Sequence, residues 1–463
     1  MWKNIKKYFT LIPSQIIELL HKIGIDKSIA YSSGSRIVNA SAGIFTILFI
    51  SIYLSKEEQG FYYTFGSIVA LQVFFELGLT NILTQFIAHE NAHIIWDGER
   101  ICSGDQLHIS RLAHLLRFTK KWYLIVSISF LLLILSGGIW FFQKYSPTAD
   151  LHLWFIPWIL VTTAASANLF LTPILAILSG VNRVKETSRV VFYQQLIMPF
   201  AIWFTLIAGG GLYVVGIGYW CSFVVGVAMI RCSKLWRILR EINNIEISDR
   251  VSYKTEIFPY QWKIALSWAS GYFVFQLFNP VLFATSGAVV AGQMGMTLAA
   301  VNGIASFSSS WISTKVPTFS GLIALRDYVK LDRLFNITMK QLGVICSIML
   351  LFFWIVIATL RYWDVPLAFR FLDLLSIAFL EIAILANQYG NGWATYLRCH
   401  KQEPLLVNSI VGAVTCGLST LFLGKYFGAL GITCGYAILR VVLTCWNYQV
   451  YKQKKSKWHT LNN

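Results

Sequence analysis

"YLSKEEQGFYYTFGSIVALQVFFELGLTNILTQFIAHENAH", residues 53–93, runs from a short acidic turn through an apolar window into a histidine-containing segment. A helix needs about 20 apolar residues to cross a hydrocarbon core of about 30 Å, and the window 61–84 has that length. The window contains one acid, Glu76, one helical turn after Gln72. The stretch therefore predicts a membrane-spanning helix that holds a carboxyl group.

Similar windows recur along the whole chain, which is 56% hydrophobic and only 13% charged. Almost no sequence is left over for a soluble domain, so the composition excludes a soluble enzyme or binding module. We predict an all-α integral membrane protein with twelve transmembrane helices. The twelve windows are 33–54, 61–84, 122–142, 152–176, 190–209, 211–230, 262–284, 287–312, 341–360, 370–392, 405–424 and 427–447.

The formal charge of +17 falls on one side of the predicted membrane. When the loops are assigned alternately from a cytoplasmic N terminus, all but five of the 38 Lys and Arg lie on the cytoplasmic side. Cytoplasmic loops are enriched in Lys and Arg, so we predict that both termini are cytoplasmic. The same distribution explains the high charge without a nucleic-acid partner. The five exceptions are Lys56, Lys144, Arg361, Arg370 and Lys425.

The first 30 residues, which begin MWKNIKKYFTLIPSQIIELL, combine basic and aromatic side chains. They lack the continuous apolar core and the cleavage site of a signal peptide, which favours an amphipathic helix at the membrane surface. The eight cysteines include no C-x-x-C pair. Because most of them fall in or beside apolar windows, we interpret them as small buried residues.

Short sequence echoes relate the two halves of the chain. "SKEEQGFYY" from Ser55 follows the first window, and "SGAVVAGQM" from Ser286 follows the seventh. "LYVVGIGY" from Leu212 and "FGALGITC" from Phe427 open the sixth and twelfth windows. The order predicts two six-helix lobes around a central cavity, an arrangement that places a substrate route between the lobes.

We therefore expect five segments along the chain. They are an interfacial segment at 1–30, an N-lobe at 31–230, a charged cytoplasmic linker at 231–261, a C-lobe at 262–447 and a basic cytoplasmic tail at 448–463.

Cations lead a polar stripe in the first window of each predicted lobe. Arg36 and Asn39 lie on one helical face, and so do Lys263, Ser267 and Ser270. Ionisable groups inside a membrane are costly and mark substrate pathways, so we predict that these side chains line the cavity. Snorkelling of the cations to lipid phosphates is the alternative. Lys315, at the end of the eighth window, is a further cavity candidate.

Two acids lie inside predicted spans. Glu381 is close to the middle of the tenth window, and Gln388 and Asn391 follow it on the same helical face. A carboxyl group at that depth is too short to snorkel and is expected to be protonated or paired. Glu381, Glu76 and Gln388 are therefore candidates for coupling to H⁺ or Na⁺. The alternative is a buried hydrogen bond between helices.

The segment His89-Glu90-Asn91-Ala92-His93 matches the H-E-x-x-H zinc pattern of metalloproteases. A protease also needs a third ligand, and the position six residues after His93 is Glu99. The intervening glycine of the longer motif is replaced by Trp96. We therefore reject a metal site here, expect no cofactor, and interpret the segment as the interfacial end of the second span.

Residues 53–93 resemble the start of bacterial polysaccharide-export flippases, which belong to the superfamily that includes the multidrug and toxin extruders. The likeness lies in the acidic turn, Gly60-Phe61-Tyr62-Tyr63, and the stretch from Gln72 through Phe75-Glu76-Leu77-Gly78-Leu79. The twelve windows and the internal repeat extend it over the whole chain.

The resemblance implies a V-shaped pair of lobes with a cation-lined central cavity. It also implies that the protein is not an enzyme and sits in the bacterial cytoplasmic membrane. It would flip an undecaprenyl-pyrophosphate-linked oligosaccharide, an O-antigen or capsule repeat unit, by alternating access. Arg36 and Lys263 would neutralise the pyrophosphate, because a diphosphate in a low dielectric needs cations.

The partners expected from this resemblance are the lipid-linked oligosaccharide, membrane lipids and glycan polymerase or export proteins, and we expect a monomer. The main alternative is a multidrug efflux transporter of the same fold, and an intramembrane zinc protease is the least favoured function. Drug extruders place acids in their cavities, whereas both leading windows here carry cations.

Overall fold

The computed structural model describes residues 42–147, 149–400 and 404–460, and these are helical almost throughout. The N-terminal half contains α1 Ala42–Tyr53, α2 Lys56–Val69, α3 Val73–Glu76, α4 Leu79–Asn91, α5 Gln106–Tyr145, α6 Leu151–Gly180, α7 Val184–Ile207 and α8 Tyr213–Arg231. A linking helix, α9 Lys234–Asn244, follows. The C-terminal half contains α10 Phe258–Phe275, α11 Phe278–Ser286, α12 Ala288–Ser313, α13 Val316–Ala324, α14 Tyr328–Tyr362, α15 Leu374–Cys399 and α16 Leu406–Thr460.

Seven helices of the described chain are long and apolar enough to cross a membrane. These are α5, α6, α7, α8, α12 continued through Ile323, α14 and α16. The bent segment from α2 to α4 meets the same test as a unit, which raises the number to eight. Helices also occupy the described parts of the other predicted windows. The prediction of a multi-pass helical membrane protein is therefore confirmed.

The acidic turn at the start of the second window is a helix N-terminus. Ser55 Oγ accepts a hydrogen bond from the Glu58 N–H at 3.0 Å, and Glu58 Oε2 accepts one from the Ser55 N–H at 2.8 Å. This reciprocal pair is a capping box, which satisfies two backbone donors that the helix leaves open. The second window is then broken at Leu77 and Gly78, whose φ angles of 49° and 68° are left-handed. The break bends the segment by 41° directly after Glu76.

The last two windows form a helical hairpin within α16. Gly428 separates its two arms with φ 58° and ψ −141°, a backbone conformation that favours glycine. The arms lie against each other, since Asn408 Nδ2 of the first arm donates a hydrogen bond to the Leu443 carbonyl of the second at 3.3 Å. The helix then continues through the predicted basic tail as far as Thr460.

The segment between the second and third spans is more ordered than a basic loop. Strands β1 Ile94–Asp97 and β2 Arg100–Gly104 form an antiparallel hairpin, and α5 begins at Gln106, well before the predicted window. Ion pairs attach this hairpin to α9: Glu99 lies 3.1 Å from Lys234 Nζ and 3.4 Å from Arg237 Nη1. We call this end of the helices, where the Lys- and Arg-rich connections lie, the basic end.

The two halves meet mainly through α2 and α12 at the opposite end. Gly60 allows this approach, because a Cβ atom there would lie 2.0 Å from the Ala288 carbonyl oxygen. Gln59 Nε2 donates to the Gly292 carbonyl at 2.8 Å and to the Arg370 carbonyl at 3.1 Å. Deeper in the interface, the rings of Phe61 and Phe283 pack edge to face at 5.0 Å.

Candidate functional site

A polar cavity of about 320 Å³ lies between the two halves, on the inner side of the α2–α12 contact. Three tyrosines come from the N-terminal half, and three amide side chains come from α11, α12 and the break before α11. None of the described residues that line it is charged. The polar lining residues are Tyr62, Tyr63, Ser67, Tyr219, Gln276, Asn279 and Asn302.

Asn279 lies in the wall of this central cavity and is only 7% exposed. Its Nδ2 donates to Ser67 Oγ at 3.0 Å, which joins α11 to α2 across the interface between the halves. Its Oδ1 accepts no hydrogen bond from the described residues. A buried amide oxygen without a donor loses hydration without compensation, so this atom is a ready acceptor for a ligand hydroxyl group.

A second polar cavity, of about 190 Å³, lies within the C-terminal half between α10, α15 and both arms of α16. Its polar lining consists of four asparagines, two arginines and a serine, with no Asp or Glu among the described lining residues. These polar side chains are Asn387, Asn391, Arg398, Asn408, Ser409, Arg440 and Asn447.

The second arm of α16 brings Arg440 into this C-terminal cavity. Its guanidinium lies over the Tyr436 ring at 5.5 Å, and its Nε donates to the Tyr436 hydroxyl at 3.3 Å. Tyr436 is itself 3% exposed, so the pair orients the arginine from one side. Asn447 lies two turns further along the same arm, and its Oδ1 accepts no hydrogen bond from the described residues.

Arg398 lies at the opening of the cavity towards the basic end. It also borders a neighbouring groove of about 630 Å³ between α13 and α15, which His400 lines as well. Asn387, Asn391 and Arg398 follow one face of α15. The C-terminal half therefore offers a polar face that begins at the basic end and runs into the interior.

Sequence reasoning named Asn391 but missed Arg398, Arg440 and Asn447 as site residues. A signal was present, because Arg440 lies well inside the twelfth window and Asn447 follows it at a spacing of seven. Arg440 was instead counted with the positively charged helix ends.

Most of the predicted cation stripe lies outside the described residues. Arg36 and Asn39 precede residue 42, and the side chains of Lys263, Ser267 and Ser270 are likewise outside the description. The next residue, Gly271, lines the C-terminal cavity, so α10 borders that cavity. Lys315 is exposed at the junction of α12 and α13 and lines neither of the two cavities.

The predicted coupling residues have different surroundings. Gln388 is 3% exposed, and its Oε1 accepts a hydrogen bond from Ser309 Oγ at 2.7 Å, which joins α15 to α12. Glu76 is the last residue of α3, at the break in the second span, four residues before Thr80, whose hydroxyl lies 3.1 Å from the Tyr123 hydroxyl. Glu381 Oε1 is buried and has no hydrogen-bond partner among the described residues.

The H-E-x-x-H segment ends α4 in an ion-pair network. Glu90 is 3% exposed; its Oε2 lies 2.6 Å from His108 Nδ1 and its Oε1 accepts from Arg111 Nε at 2.9 Å. The His93 and His108 rings stack at 4.0 Å. Both oxygens of Glu90 are therefore engaged in holding α4 against α5, which leaves no free carboxylate to activate a metal-bound water. No His, Cys, Asp and Glu side chains in the described chain are grouped so as to hold a metal ion.

Arg111 extends this network to the segment before α10. Its Nη2 donates to Glu256 Oε2 at 2.5 Å. The pKa of Glu256 lies below its usual range. Partial burial raises this pKa, but the hydrogen bonds from the Ser252 N–H and from Arg111 together lower it by more. The carboxylate is thus ionised at neutral pH and ties the entry of the C-terminal half to the N-terminal half.

Comparisons with known proteins find similarity at the level of structure. No protein-family model matches the sequence, and no curated protein matches it either. An inward-facing multidrug resistance transporter of the MATE family, in the MOP superfamily, has a TM-score of 0.60 at 15% identity, over 92% of this chain and 99% of that chain. The lipid II flippase MurJ, in an inward closed conformation, has a TM-score of 0.58 at 11% identity, over 93% of this chain and 90% of that one.

A MOP superfamily transporter from Pyrococcus furiosus is also similar, with a TM-score of 0.54 at 14% identity, over 94% of this chain and 97% of that one. Its binding pocket is described as having reversed polarity, which suggested a different function for that protein. At identities this low the likeness establishes the fold. The chain has the fold of MATE-type and MurJ-type membrane transporters.

Proposed function

We propose that this chain flips an anionic, lipid-linked oligosaccharide across the bacterial cytoplasmic membrane by alternating access. The observation that carries the proposal is the chemistry of the C-terminal cavity, which combines Arg398 and Arg440 with four asparagines. Guanidinium groups form strong, often bidentate bonds to phosphate oxygens. Amide side chains both donate and accept hydrogen bonds, as sugar hydroxyl groups require.

The substrate that fits this combination is undecaprenyl-pyrophosphate carrying an O-antigen or capsule repeat unit. Its diphosphate would bind the arginines, together with Arg36 and Lys263 of the predicted stripes. Its sugars would extend into the central cavity, where the unpartnered oxygen of Asn279 and the tyrosine hydroxyl groups lie. The polyprenyl chain would stay in the lipid.

The proposal includes the finer topology: twelve spans in two six-helix lobes around the central cavity, with both termini cytoplasmic. The α2–α12 contact would then close the cavity on the outer side. A chain closed there can receive substrate from the cytoplasmic leaflet. We expect a monomer that uses Glu381 to couple transport to H⁺ or Na⁺ and that hands its product to polymerase or export proteins.

Efflux of cationic drugs is the competing function for this fold. A cationic substrate requires carboxylates in the binding cavity. Among the described lining residues, the C-terminal cavity has arginines and amides in their place, and the central cavity has amides and tyrosines. This polarity favours an anion.

The test compares two arginines that have the same local contact. Arg440 lies over Tyr436 at 5.5 Å in the C-terminal cavity, and Arg189 lies over Tyr193 at 5.7 Å on an exposed surface of α7. Proteoliposomes would carry a fluorescent undecaprenyl-pyrophosphate oligosaccharide, and an impermeant quencher would report its passage between leaflets. We expect Arg440→Gln to slow flipping at least about tenfold, since each 1.4 kcal/mol of lost binding is a factor of ten.

The control, Arg189→Gln, should flip substrate within about twofold of the wild-type rate. Transport of ethidium by the wild-type protein without movement of the lipid-linked sugar would contradict the proposal and favour drug efflux. Equal rates for Arg440→Gln and wild type would remove the C-terminal cavity from the substrate route.

A further inference from the structure

A groove of about 640 Å³ lies at the basic end of the C-terminal half, apart from both cavities described above. It is bordered by the start of α14, the end of α15 and the end of α16. Lysines and aromatic rings make up much of its lining. The residues that matter for the argument are Lys340, Tyr389, Trp393, Tyr448, Lys452 and Lys455.

One wall of the groove is a continuous aromatic surface. Trp393 is central to it, with ring centroids 6.2 Å from Tyr389, 5.0 Å from Tyr448 and 6.2 Å from Tyr451. Tyr389 is seated against α14 at Gly343, where a Cβ atom would meet the tyrosine hydroxyl oxygen. The wall therefore has a built shape, because three helices and a glycine contact position its rings.

The lysines of the groove differ in their partners. Lys455 Nζ lies 2.8 Å from Asp332 Oδ2, and both side chains are about one quarter exposed, so this lysine closes one side of the groove. Lys340 and Lys452 are exposed, and neither forms an ion pair with a described carboxylate. Two cations from different helices thus face one groove without an acid to neutralise them.

The depth of the groove relative to the predicted hydrocarbon layer indicates which part of a lipid it can contact. Lys340 immediately precedes the window 341–360, Trp393 immediately follows 370–392, and Tyr448 immediately follows 427–447. All three helices therefore leave the predicted hydrocarbon layer at the groove. Trp and Tyr favour this interfacial layer, and lysines there reach lipid phosphates.

We propose that this groove is a binding site for the phosphate-bearing headgroup of an anionic lipid in the leaflet at the basic end. Lys340 and Lys452 bind the phosphate, and the Trp393 wall packs against the glycerol or first acyl segment. The site is separate from the substrate cavities, so the inference does not depend on the proposed transport function. A glycerophospholipid and a polyprenyl phosphate share this chemistry, and the experiment distinguishes them.

The full-length protein in detergent would be mixed with phosphatidylglycerol, phosphatidylcholine or undecaprenyl phosphate, and retained lipids would be counted by native mass spectrometry. We expect the wild type to retain phosphatidylglycerol in preference to phosphatidylcholine. The double variant Lys340→Gln/Lys452→Gln should retain at least fivefold less. The matched control is Arg333→Gln, which removes an exposed cation of α14 that does not line the groove.

Competition identifies the natural source. Displacement of phosphatidylglycerol by undecaprenyl phosphate at equal concentration assigns the site to the polyprenyl lipid, and resistance to displacement assigns it to the phospholipid; both outcomes support a phosphate site. Unchanged retention in the double variant, or an equal loss in Arg333→Gln, would overturn the proposal. Gel filtration of each variant shows whether a loss of lipid reflects misfolding, and Lys340→Arg/Lys452→Arg, which keeps both charges, should restore retention.

Discussion

Helix α6, which fills the fourth predicted window, and helix α15, which lies in the tenth, differ in the side chains on their inner faces. The buried face of α6 is apolar and aromatic, with Trp154, Trp158 and Val161 at 1% exposure or less. The second half of α15 carries Asn387, Asn391 and Arg398, which line a cavity. The two helices therefore differ along these faces: within the described residues, the face of α6 is filled by packing and that of α15 leaves a cavity open.

Polar side chains show the same difference. In the N-terminal half, Asn168 Nδ2 donates to the Ala164 carbonyl at 2.9 Å and to the Tyr219 carbonyl at 3.1 Å, and so joins α6 to α8. In the C-terminal half, the Asn447 oxygen accepts no hydrogen bond from the described residues. A polar group inside a membrane protein is retained either to join helices or to meet a ligand. In this comparison Asn168 joins two helices, whereas the Asn447 oxygen stays available to a ligand.

The largest expected effect on transport comes from substituting one of the two acids within the predicted spans. Glu381 Oε1 is buried without a described partner, whereas Glu76 is only partly buried at the break in the second span. Because an amide cannot take up and release a proton, we expect Glu381→Gln to reduce gradient-driven flipping in proteoliposomes at least about tenfold. Glu76→Gln keeps a hydrogen-bonding group and should stay within about twofold. A larger loss for Glu76→Gln than for Glu381→Gln would break the comparison.

A matched pair of asparagines is expected to give the next largest effect. Asn391→Leu removes a polar group from the cavity and should slow flipping about tenfold while leaving the melting temperature nearly unchanged. Asn168→Leu removes one hydrogen bond within α6 and one from α6 to α8. This variant should lose about 0.5–1.5 kcal/mol of stability and flip substrate at a nearly normal rate. The measurements are flipping rate and thermal unfolding of both variants. The reverse assignment, with Asn391 governing stability and Asn168 governing transport, would contradict the division between halves.

The prediction with the smallest expected effect on transport concerns stability and tests whether the N-terminal half is filled. A Cβ atom at Gly138 would lie 2.2 Å from the Trp158 ring, and Trp158 is fully buried and bonded through Nε1 to the Leu135 carbonyl at 3.2 Å. Gly138→Ala should therefore destabilise the protein by about 1–3 kcal/mol through overpacking. The neighbouring Gly137 has open space at its Cβ position, and Gly137→Ala should gain about 0.5–1 kcal/mol of helix stability. Thermal unfolding in detergent that ranks the two variants in the opposite order would show that α5 and α6 are loosely packed.

The helices were largely predictable because each one depends on a local property of the sequence. An apolar window of about 20 residues specifies a spanning helix whatever its neighbours are. The capping box at Ser55 and Glu58 is likewise local. The extension of α5 to Gln106 and the β1–β2 hairpin were missed, because both lie in polar sequence where hydropathy gives no signal.

The candidate site was predictable only in part. The polar stripe of α15 that contains Asn391 was identified from helical periodicity, and the charge of the leading helices indicated an anionic substrate. The incomplete motif was the reason to reject a catalytic role for Glu90. Its bonds to His108 and Arg111 give this residue a structural role. Arg36, Lys263, Ser267 and Ser270 stay predictions.

The sequence by itself determined the multi-pass helical class, the apolar windows and the net charge of each loop. The class and the windows follow from how single segments partition between water and lipid, and the loop charges are read directly from the residues. Only the tertiary structure decided which polar groups share a cavity. Asn391, Asn408 and Arg440 come from α15 and from both arms of α16, and periodicity shows the face on which each lies but not the helix that each face meets. The hairpin at Gly428 sets both arms of α16 beside α15, and these pairings make the arginine-lined interior of the C-terminal half.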